Sequence, residues 1–390
     1  MKIALVSPYD FAYPGGVVNH ILALEQHFTS WGHEVKIIAP ASKAVTNLGG
    51  RFIPIGTPRP VPTSGSIARI TLSPWLSSKI KSVLAKEKFD IIHLHEPLMP
   101  MLCTTVLRLS DTATVGTFHA CQGRPSYRLG RPVTTFFLKR WFRKLDGKIA
   151  VSVPAMEYAR KHLLGFYDII PNGISSRDFC PDVPAIEKFG DGKLNLLFVG
   201  RLERRKGLNY LLKAYRQVQR EVPNSRLIVV GPGTSLKPWY QTMVRRYHLK
   251  DVTFVGYVSC EELPRYYKTA DVFCAPATGR ESFGIVLLEA MSLGKPVVAS
   301  NIEGYASVIT DGVDGLLVPP RDTRALAEAL ISVMTDESLR QQLGTRARAR
   351  AQEYDWDHIA RRVIDYYIKV LSESPWRERH RQPETLSIPV

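Results

Sequence analysis

The chain has 390 residues, with 52 Lys and Arg against 36 Asp and Glu, which gives a formal net charge of +16. This length exceeds the size at which single hydrophobic cores stop growing, so it argues against a one-core module and favours two domains. The positive charge favours an anionic partner, for which nucleic acid, a membrane surface and a phosphorylated substrate are the candidate classes.

The five cysteines show no CxxC spacing, which argues against a disulfide framework or a cysteine zinc site and for a reducing compartment. The apolar run at the N-terminus is too short for a signal peptide. No stretch approaches the roughly 18 apolar residues of a membrane-spanning helix. We therefore expect a cytosolic protein, a location that still permits attachment to a membrane surface.

The first half of the chain alternates short apolar runs with longer mixed stretches. The runs that predict buried strands are KIALVSP, EVKIIAP, FDIIHLHEP, TVGTFHA and GKIAVSV. Near-continuous apolar strands separated by helical lengths are typical of parallel sheets built from βαβ units. The first half therefore predicts a doubly wound α/β domain.

The first strand leads into a glycine pair, Gly15 and Gly16, at the predicted start of a helix. Glycine permits a close backbone approach to a phosphate, and the helix start supplies N–H donors. The signal is weak, since packing alone often requires glycine at a βα junction. No GxGxxG is present, which counts against a dinucleotide enzyme.

Trp75 to Lys88 predicts an amphipathic helix whose apolar stripe lies between lysines. Its cations are Lys79, Lys81, Lys86 and Lys88. Lysines beside an apolar stripe are typical of an interfacial helix at anionic headgroups, so we favour membrane contact over a stripe that faces the core. A similar stretch, Phe136 to Leu145, is interpreted as core-facing.

Three histidines belong to the next two predicted strands. His93 and His95 alternate on one strand and so face the same side, while His119 ends the following strand. His119 could donate a hydrogen bond to a sugar or to a backbone oxygen near a reaction centre. An HxH pair can bind a metal, but no third ligand is visible nearby, so structural packing is favoured for His93 and His95.

A second series of apolar runs follows a turn signal at Pro171-Asn172-Gly173. The runs are LNLLFVGR, RLIVVGPG, VTFVGYV, ADVFCAP and KPVVASN. Arg201 and Lys206 leave the carboxyl end of the first of them, where open α/β sheets bind ligands. They could neutralise a leaving diphosphate; the alternative is a solvated basic turn of Arg201, Arg204, Arg205 and Lys206.

The segment Arg280 to Met291, RESFGIVLLEAM, predicts a loop that enters a helix. Glu281 precedes the helix, and Glu289 lies further along it. The N–H groups of Gly284, Ile285 and Val286 fall at the helix start, which suits an anion such as a diphosphate. A carboxylate on either side can accept hydrogen bonds from sugar hydroxyls.

The C-terminal part predicts one helix over Arg321 to Glu353 and a second, amphipathic helix over Trp356 to Leu371. The second is expected to cross back and pack on the first domain. Asp355 and Asp357 form a DxD string, but an Asp before a helix is a favoured N-cap, and capping is the better interpretation. Residues 372–390 are polar and contain proline, so we expect a disordered tail.

Taken together, these residues resemble the family 4 retaining glycosyltransferases, which have the two-Rossmann GT-B fold. The marks are GGV at Gly15 to Val17, GRLxxxKG at Gly200 to Gly207, and Glu281 and Glu289 with seven residues between them. The resemblance extends from residue 1 to about residue 371. Within the family, HLHEP, TFH, GSIAR and ESFGIVLLEAM make the chain most similar to the mannosyltransferases of phosphatidylinositol.

The resemblance implies an α/β protein with two Rossmann-like domains facing a central cleft. Residues 1–170, with the crossover helix 356–371, would bind the acceptor, and residues 171–355 would bind the nucleotide sugar. The implied catalytic residues are His119, Arg201, Lys206 and Glu281. The implied nucleotide-sugar contacts are Gly16, Arg201, Lys206, Glu281, Phe283, Gly284, Ile285, Val286 and Glu289. Tyr9, Ser66 and Arg69 would bind a phosphoinositol headgroup.

The expected activity is transfer of a hexose, with retention, to a lipid acceptor at the inner face of the plasma membrane. The donor implied is GDP-mannose, with a UDP-hexose and another glycolipid or soluble acceptor as the alternative; no metal or further cofactor is implied. A soluble sugar-phosphate enzyme and a nucleotide-sugar epimerase stay open within the fold. A nucleic-acid-binding protein would explain the charge, but the sequence has no recognisable module for it.

Overall fold

The computed structural model describes residues 1–63, 66–73, 75–121 and 140–373. These residues form two compact units. One comprises Met1–Val151, Ala155–Ile170 and the described residues from Ile359 onward, and the other comprises Ser152–Pro154 and Pro171–His358. Among the described residues, no helix combines the length and the apolar content that crossing a bilayer requires.

The first half of the chain forms a seven-stranded parallel sheet and a separate hairpin. Its strands are β1 (Lys2–Val6), β2 (Glu34–Ala39), β3 (Phe52–Pro54), β4 (Pro58–Thr63), β5 (Ser66–Thr71), β6 (Ile91–His95), β7 (Ala113–Phe118), β8 (Gly147–Ala150) and β9 (Asp168–Ile169). Its helices are α1 (Gly16–Ser30), α2 (Ser77–Glu87), α3 (Leu102–Leu109) and α4 (Val153–Arg160), with a 3₁₀ turn at Gly49–Arg51. The sheet order is β3-β2-β1-β6-β7-β8-β9, and β4 pairs with β5 antiparallel.

The second half forms a six-stranded parallel sheet in the order β12-β11-β10-β13-β14-β15. The strands are β10 (Leu194–Val199), β11 (Ser225–Val230), β12 (Val252–Gly256), β13 (Val272–Ala275), β14 (Val297–Ser300) and β15 (Leu316–Val318). The helices are α5 (Leu208–Glu221), α6 (Lys237–Arg246), α7 (Leu263–Thr269), α8 (Ile285–Ser292), α9 (Glu303–Ala306), α10 (Thr323–Thr335), α11 (Glu337–Gln352) and α12 (Trp356–Glu373), with 3₁₀ turns at Glu187–Phe189 and Arg204–Lys206.

The core of the second unit lies on both faces of its sheet. Successive residues of β10 alternate between two apolar clusters, with Leu196 and Phe198 in one and Leu197 in the other. Side chains on a strand point alternately to its two faces, so a sheet covered on both sides requires a continuous apolar strand. The predicted α/β class with two doubly wound parallel sheets is confirmed.

The last helix, α12, packs on the first unit from Ile359 onward, as the sequence predicted. The Tyr366 hydroxyl accepts a hydrogen bond from the Lys148 N–H at 2.9 Å, and Arg362 Nη2 donates to the Ile169 carbonyl at 2.8 Å. Tyr367 is fully buried, with its hydroxyl 2.5 Å from His93 Nδ1. The helix therefore contributes buried side chains to the first unit.

Two predictions about the C-terminal part need correction. The single helix expected over Arg321 to Glu353 is two helices, because Asp336 interrupts it and caps α11 by accepting the Leu339 N–H at 2.9 Å. Residues 372 and 373, expected in a disordered tail, are helical, since α12 continues to Glu373. Residues 374–390 lie outside the described residues.

In both amphipathic stretches of the first half, the described apolar side chains face the core. Phe142 and Leu145 are buried in the core, which confirms the core-facing interpretation there, while residues 136–139 lie outside the described part. In α2 the apolar stripe also faces inward, because Leu76 and Ile80 are buried and Val83 and Leu84 pack against the same cluster. The expectation that this stripe faces a membrane is wrong.

Candidate active site

The candidate donor site lies where the strand order of the second sheet reverses. β10 is flanked by β11 on one side and β13 on the other, and ligands of open α/β sheets bind outside the carboxyl ends at such a switch point. The loops after β10 and β13 meet here, since the Thr278 N–H donates to the Arg205 carbonyl at 2.8 Å. Gly207 permits the approach: its φ is +76°, and a Cβ would lie 1.8 Å from the Pro276 carbonyl oxygen.

These two loops bring a carboxylate and two cations together. Glu281 Oε1 contacts Lys206 Nζ at 2.7 Å and also accepts a hydrogen bond from Arg205 Nη1. Glu203 contacts Arg205 Nε at 2.8 Å and Arg201 Nε at 3.2 Å. Arg205, Lys206 and both carboxylates are largely shielded from solvent, whereas the Arg201 side chain is 46% exposed. The turn is thus an ordered charge network, with Arg204 directed instead toward the Trp239 ring.

The start of α8 supplies N–H donors beside this network. Gly284 precedes the helix at φ +105°, and a Cβ there would lie 2.7 Å from the Tyr305 ring, so only glycine fits. Ile285 and Val286 begin the helix, and the first N–H groups of a helix have no acceptor within it. The predicted helix start is confirmed, and anion binding by its N–H groups stays a prediction.

Glu289 is further along α8 and is held by a buried tyrosine. The Tyr267 hydroxyl donates to Glu289 Oε2 at 2.6 Å. Burial raises the pKa of Glu289, and the Tyr267 hydrogen bond partly opposes that rise. The Phe283 side chain is buried, with its ring centroid 5.8 Å from that of Tyr354. The donor contact predicted for Phe283 is therefore restricted to its backbone.

In the first unit, His119 directly follows β7 and is positioned by Glu96. Glu96 Oε1 accepts hydrogen bonds from the N–H groups of His119 and Ala120, each at 2.6 Å. Burial raises the pKa of Glu96 to about 7, and these two N–H groups offset part of the effect. Burial also lowers the pKa of His119 well below its usual value, so its ring is neutral at neutral pH.

The two histidines of the HxH pair have different surroundings. His93 is satisfied on both ring nitrogens, by the Tyr367 hydroxyl at 2.5 Å and the Thr117 hydroxyl at 2.6 Å, which fits the structural interpretation. His95 Nδ1 lies 3.1 Å from His119 Nε2, and His20 of α1 joins them. The expectation that no third imidazole lies near the pair is therefore wrong, because the sheet places the ends of β6 and β7 beside α1.

The predicted acceptor residues lie on neighbouring segments. Tyr9 forms an isolated bridge to Ile70, and the Asp10 N–H donates to the Arg69 carbonyl at 2.8 Å. The Arg69 guanidinium lies over the Tyr13 ring, 4.1 Å from its centroid. Ser66 begins β5, Gly65 lies outside the described residues, and Gly16 begins α1. The fold thus places the backbone segments that contain Tyr9 and Arg69 next to each other.

The four lysines predicted to meet a membrane are all exposed on or beside α2. Lys79 Nζ also donates to the Pro54 carbonyl at 2.7 Å. Trp75, just before the helix, is 86% exposed. Since the apolar stripe beneath is in the core, any contact of this surface with lipid depends on these cations and on Trp75.

Several residues of the two candidate sites, one in each unit, escaped the sequence interpretation. They are His20, Glu96, Glu203, Arg205 and Tyr267. Arg205 stands beside Lys206 in the same motif, and Glu96 stands in HLHEP, so motif position alone could have identified both. Glu203 lies in the motif of Arg205 as well, and its partners Arg201 and Arg205 are only two residues away. His20 and Tyr267 had no such signal, since their partners are distant in sequence.

Comparisons with known families match both halves of the chain. The family described as "Glycosyltransferase Family 4" matches residues 14–177, and "Glycosyl transferases group 1" matches residues 181–350. The chain is 35% identical over 368 residues to the phosphatidyl-myo-inositol mannosyltransferase of Mycolicibacterium smegmatis, covering 94% of this chain and 93% of that one. It is 36% identical to the protein of the same name in Mycobacterium tuberculosis, covering 94% and 96%.

Solved structures show the same fold at lower identity. Sucrose-phosphate synthase from Thermosynechococcus elongatus superposes with a TM-score of 0.75 at 24% identity, covering 96% of this chain and 100% of that one. The HepE protein of Anabaena, solved with UDP and glucose, superposes with a TM-score of 0.73 at 19% identity, covering 95% and 100%.

Proposed function

Because the chain belongs to glycosyltransferase family 4, we propose that it transfers a hexose, with retention, from a nucleotide sugar to the headgroup of phosphatidylinositol. The observation that carries this proposal is the meeting of Glu281, Lys206 and Arg205 beside the N-terminus of α8. This arrangement combines a carboxylate that can accept hydrogen bonds from sugar hydroxyls with cations and N–H groups that can bind a diphosphate.

In the proposed mechanism, the bond between the anomeric carbon and the β-phosphate oxygen breaks with oxocarbenium character. Lys206, Arg205 and Arg201 stabilise the charge that develops on the leaving diphosphate. Electrostatic stabilisation of this kind is usually the largest single contribution to catalysis. The departing phosphate oxygen accepts the proton of the incoming hydroxyl, whose oxygen forms the new bond on the same face. Glu281 binds the sugar hydroxyls, Glu289 binds the ribose, and His119 lies beside the sugar.

The acceptor assignment is supported by the pairing of Arg69 with Tyr13 and by the proximity of Tyr9. Stacking on an aromatic ring presets the guanidinium plane, which can then bind a phosphate through two hydrogen bonds. The named mannosyltransferase relatives act on phosphatidyl-myo-inositol according to their names. We propose GDP-mannose as donor on the same ground, and attachment to the cytoplasmic face of the membrane through the α2 lysines.

The test is incubation of the protein with GDP-mannose, GDP-glucose, UDP-glucose and UDP-galactose, each with vesicles of phosphatidylinositol or of phosphatidylserine as matched control. Mass spectrometry should find one added hexose on phosphatidylinositol from GDP-mannose and no product on phosphatidylserine. Product from a UDP-sugar alone would overturn the donor, and product on a soluble acceptor alone would overturn the lipid. Release of an altered nucleotide sugar without acceptor would identify an epimerase.

A further inference from the structure

Three imidazoles from three separate elements converge at the carboxyl edge of the first sheet. They belong to His20 on α1, His95 at the end of β6 and His119 after β7, and one nitrogen of each lies within 4.8 Å of the others. The ring centroids of His20 and His119 are 4.9 Å apart, and those of His20 and His95 are 5.3 Å apart. Of the residues that the structure describes, no others form a group of this kind.

A second, independent observation concerns His95, which is fully buried. Within the described residues, its Nε2 has no hydrogen-bond partner, although buried polar atoms in folded proteins are almost always satisfied. Leaving a buried polar group unsatisfied destabilises the folded state. By contrast, the adjacent His93 is satisfied on both nitrogens, so the deficit is specific to the ring that belongs to the cluster.

We propose that His20, His95 and His119 bind one divalent cation of the zinc class. Three nitrogen donors suit zinc, cobalt or nickel and are poor ligands for magnesium, calcium or manganese, which prefer oxygen. Ligand nitrogens of a tetrahedral zinc lie about 3.3 Å from each other, from bond lengths near 2.05 Å. Side-chain shifts of roughly 1 Å would therefore bring the three nitrogens onto the ion, which would leave the fourth position open.

The consequence for activity rests on the proposed function, in which His119 lies beside the sugar. A ring nitrogen bound to zinc cannot contact the sugar, and the ion and its fourth ligand would occupy neighbouring space. Zinc is therefore expected to inhibit transfer rather than to support it. All three histidines belong to the first unit.

The binding test uses the whole protein with cobalt(II), which reports its ligands by absorption. Wild type should bind one equivalent with the visible bands of a nitrogen-ligated ion and no sulfur charge-transfer band, which separates this site from the five cysteine side chains. Zinc should displace the cobalt. His20→Gln and His95→Gln should each weaken binding by roughly 10²-fold or more, since even the loss of an outer partner costs 10–100-fold. His248→Asn, at an exposed histidine, is the matched control and should bind as wild type.

A gain-of-signal variant keeps the test independent of protein stability. His20→Cys replaces one nitrogen with a thiolate, so cobalt should still bind and a sulfur charge-transfer band should appear. Circular dichroism checks that each variant is folded. Absence of binding in wild type, unchanged binding in both glutamine variants, or no new band in the cysteine variant would each refute the site.

Inhibition is measured separately with zinc titrated into the transfer assay. Wild-type transfer should fall as zinc occupies the site, and His20→Gln should be at least tenfold less sensitive. If zinc binds but transfer is unaffected, the inhibitory consequence is wrong while the site stands. If no transfer is detected under any condition, the proposed function fails while the cobalt spectra still decide the site.

Discussion

Lys206 and Arg205 meet the same oxygen of Glu281, and this contact explains how a basic turn can stay ordered before a substrate binds. Adjacent cations repel each other, and the repulsion is strong where solvent is excluded. Glu281 and Glu203 offset that repulsion through four contacts with Arg201, Arg205 and Lys206. The cations are therefore held in position before the diphosphate that we propose they bind arrives. This limits the reorganisation needed during transfer.

Replacement of the diphosphate cations tests this network. Lys206→Ala and Arg201→Ala should each lower turnover by on the order of 10²–10³, the usual cost of losing one charge-stabilising donor. The measurement is kcat for hexose transfer, with denaturant unfolding to show that the fold survives. Arg204→Ala is the matched control, because Arg204 lies in the same turn but faces Trp239. Near-wild-type turnover in both variants would exclude these roles.

Glu96, which accepts the N–H groups of His119 and Ala120, should make the stability of the protein depend on pH. Because burial raises its pKa from 4.5 to about 7, the folded state binds more protons than the unfolded state in this interval. The contribution of Glu96 to stability is therefore fully present below pH 4.5 and is lost as the pH rises through about 7. Glu96→Gln retains an oxygen that can accept the two N–H groups but removes the ionisation, so urea unfolding at pH 5 and pH 8 should show a smaller decline than in wild type. An equal decline in both proteins would contradict a buried, titrating Glu96.

Among the elements, α2 shows how one apolar stripe can be interpreted in two ways. Its stripe of Leu76, Ile80, Val83 and Leu84 packs in the core, yet its lysines form an exposed basic surface. A helix at the surface of a protein and a helix at the surface of a bilayer need the same pattern, an apolar face opposite charged residues. Only the packing partner distinguishes them.

The lysine surface is tested on vesicles. Serine at all four lysines of α2 should abolish most binding to phosphatidylinositol vesicles, since each basic residue contributes roughly 1 kcal/mol at an acidic surface. Co-sedimentation at low and moderate salt is the measurement, and salt should weaken the wild-type interaction. A control with equal charge loss places serine at four exposed cations of the second unit: Lys213, Arg216, Arg220 and Arg246. Equal binding of the two variants would contradict a specific surface.

At the scale of the whole molecule, the first unit is completed by the last helix of the chain. His93 near the centre of the first sheet meets Tyr367 of α12, which is 274 residues later in sequence. This buried hydrogen bond makes the C-terminal helix part of the core of the first unit. The first unit is therefore built from parts of the chain that are far apart in sequence.

The contribution of this contact can be measured. Tyr367→Phe removes the hydroxyl and leaves His93 Nδ1 without that partner, which should lower the free energy of unfolding by about 1–3 kcal/mol. Denaturant unfolding followed by circular dichroism provides the value. Ile368→Ala, at a neighbouring side chain that is 55% exposed, should change it by less than about 0.5 kcal/mol. If the two variants are equally stable, the buried contact does not support the unit.

The sequence by itself determined the fold class. Its apolar runs are long enough for buried parallel strands and too short for membrane-spanning helices. It also located Glu281, Glu289, Lys206 and the α8 start, because these residues lie within local motifs whose pattern reflects backbone geometry. Their roles toward a donor stay predictions. The break at Asp336 was missed, since two capped helices with one residue between them have nearly the same periodicity as one helix.

The tertiary structure alone decided which distant residues meet. The contact of Arg205 with Glu281 spans 76 residues, and the histidine cluster joins three elements that are adjacent only because β1, β6 and β7 are neighbours in the sheet. It also decided that the α2 stripe faces the core. Periodicity specifies that a face is apolar, but the strand order of the folded sheet specifies what covers it and which side chains share its edge.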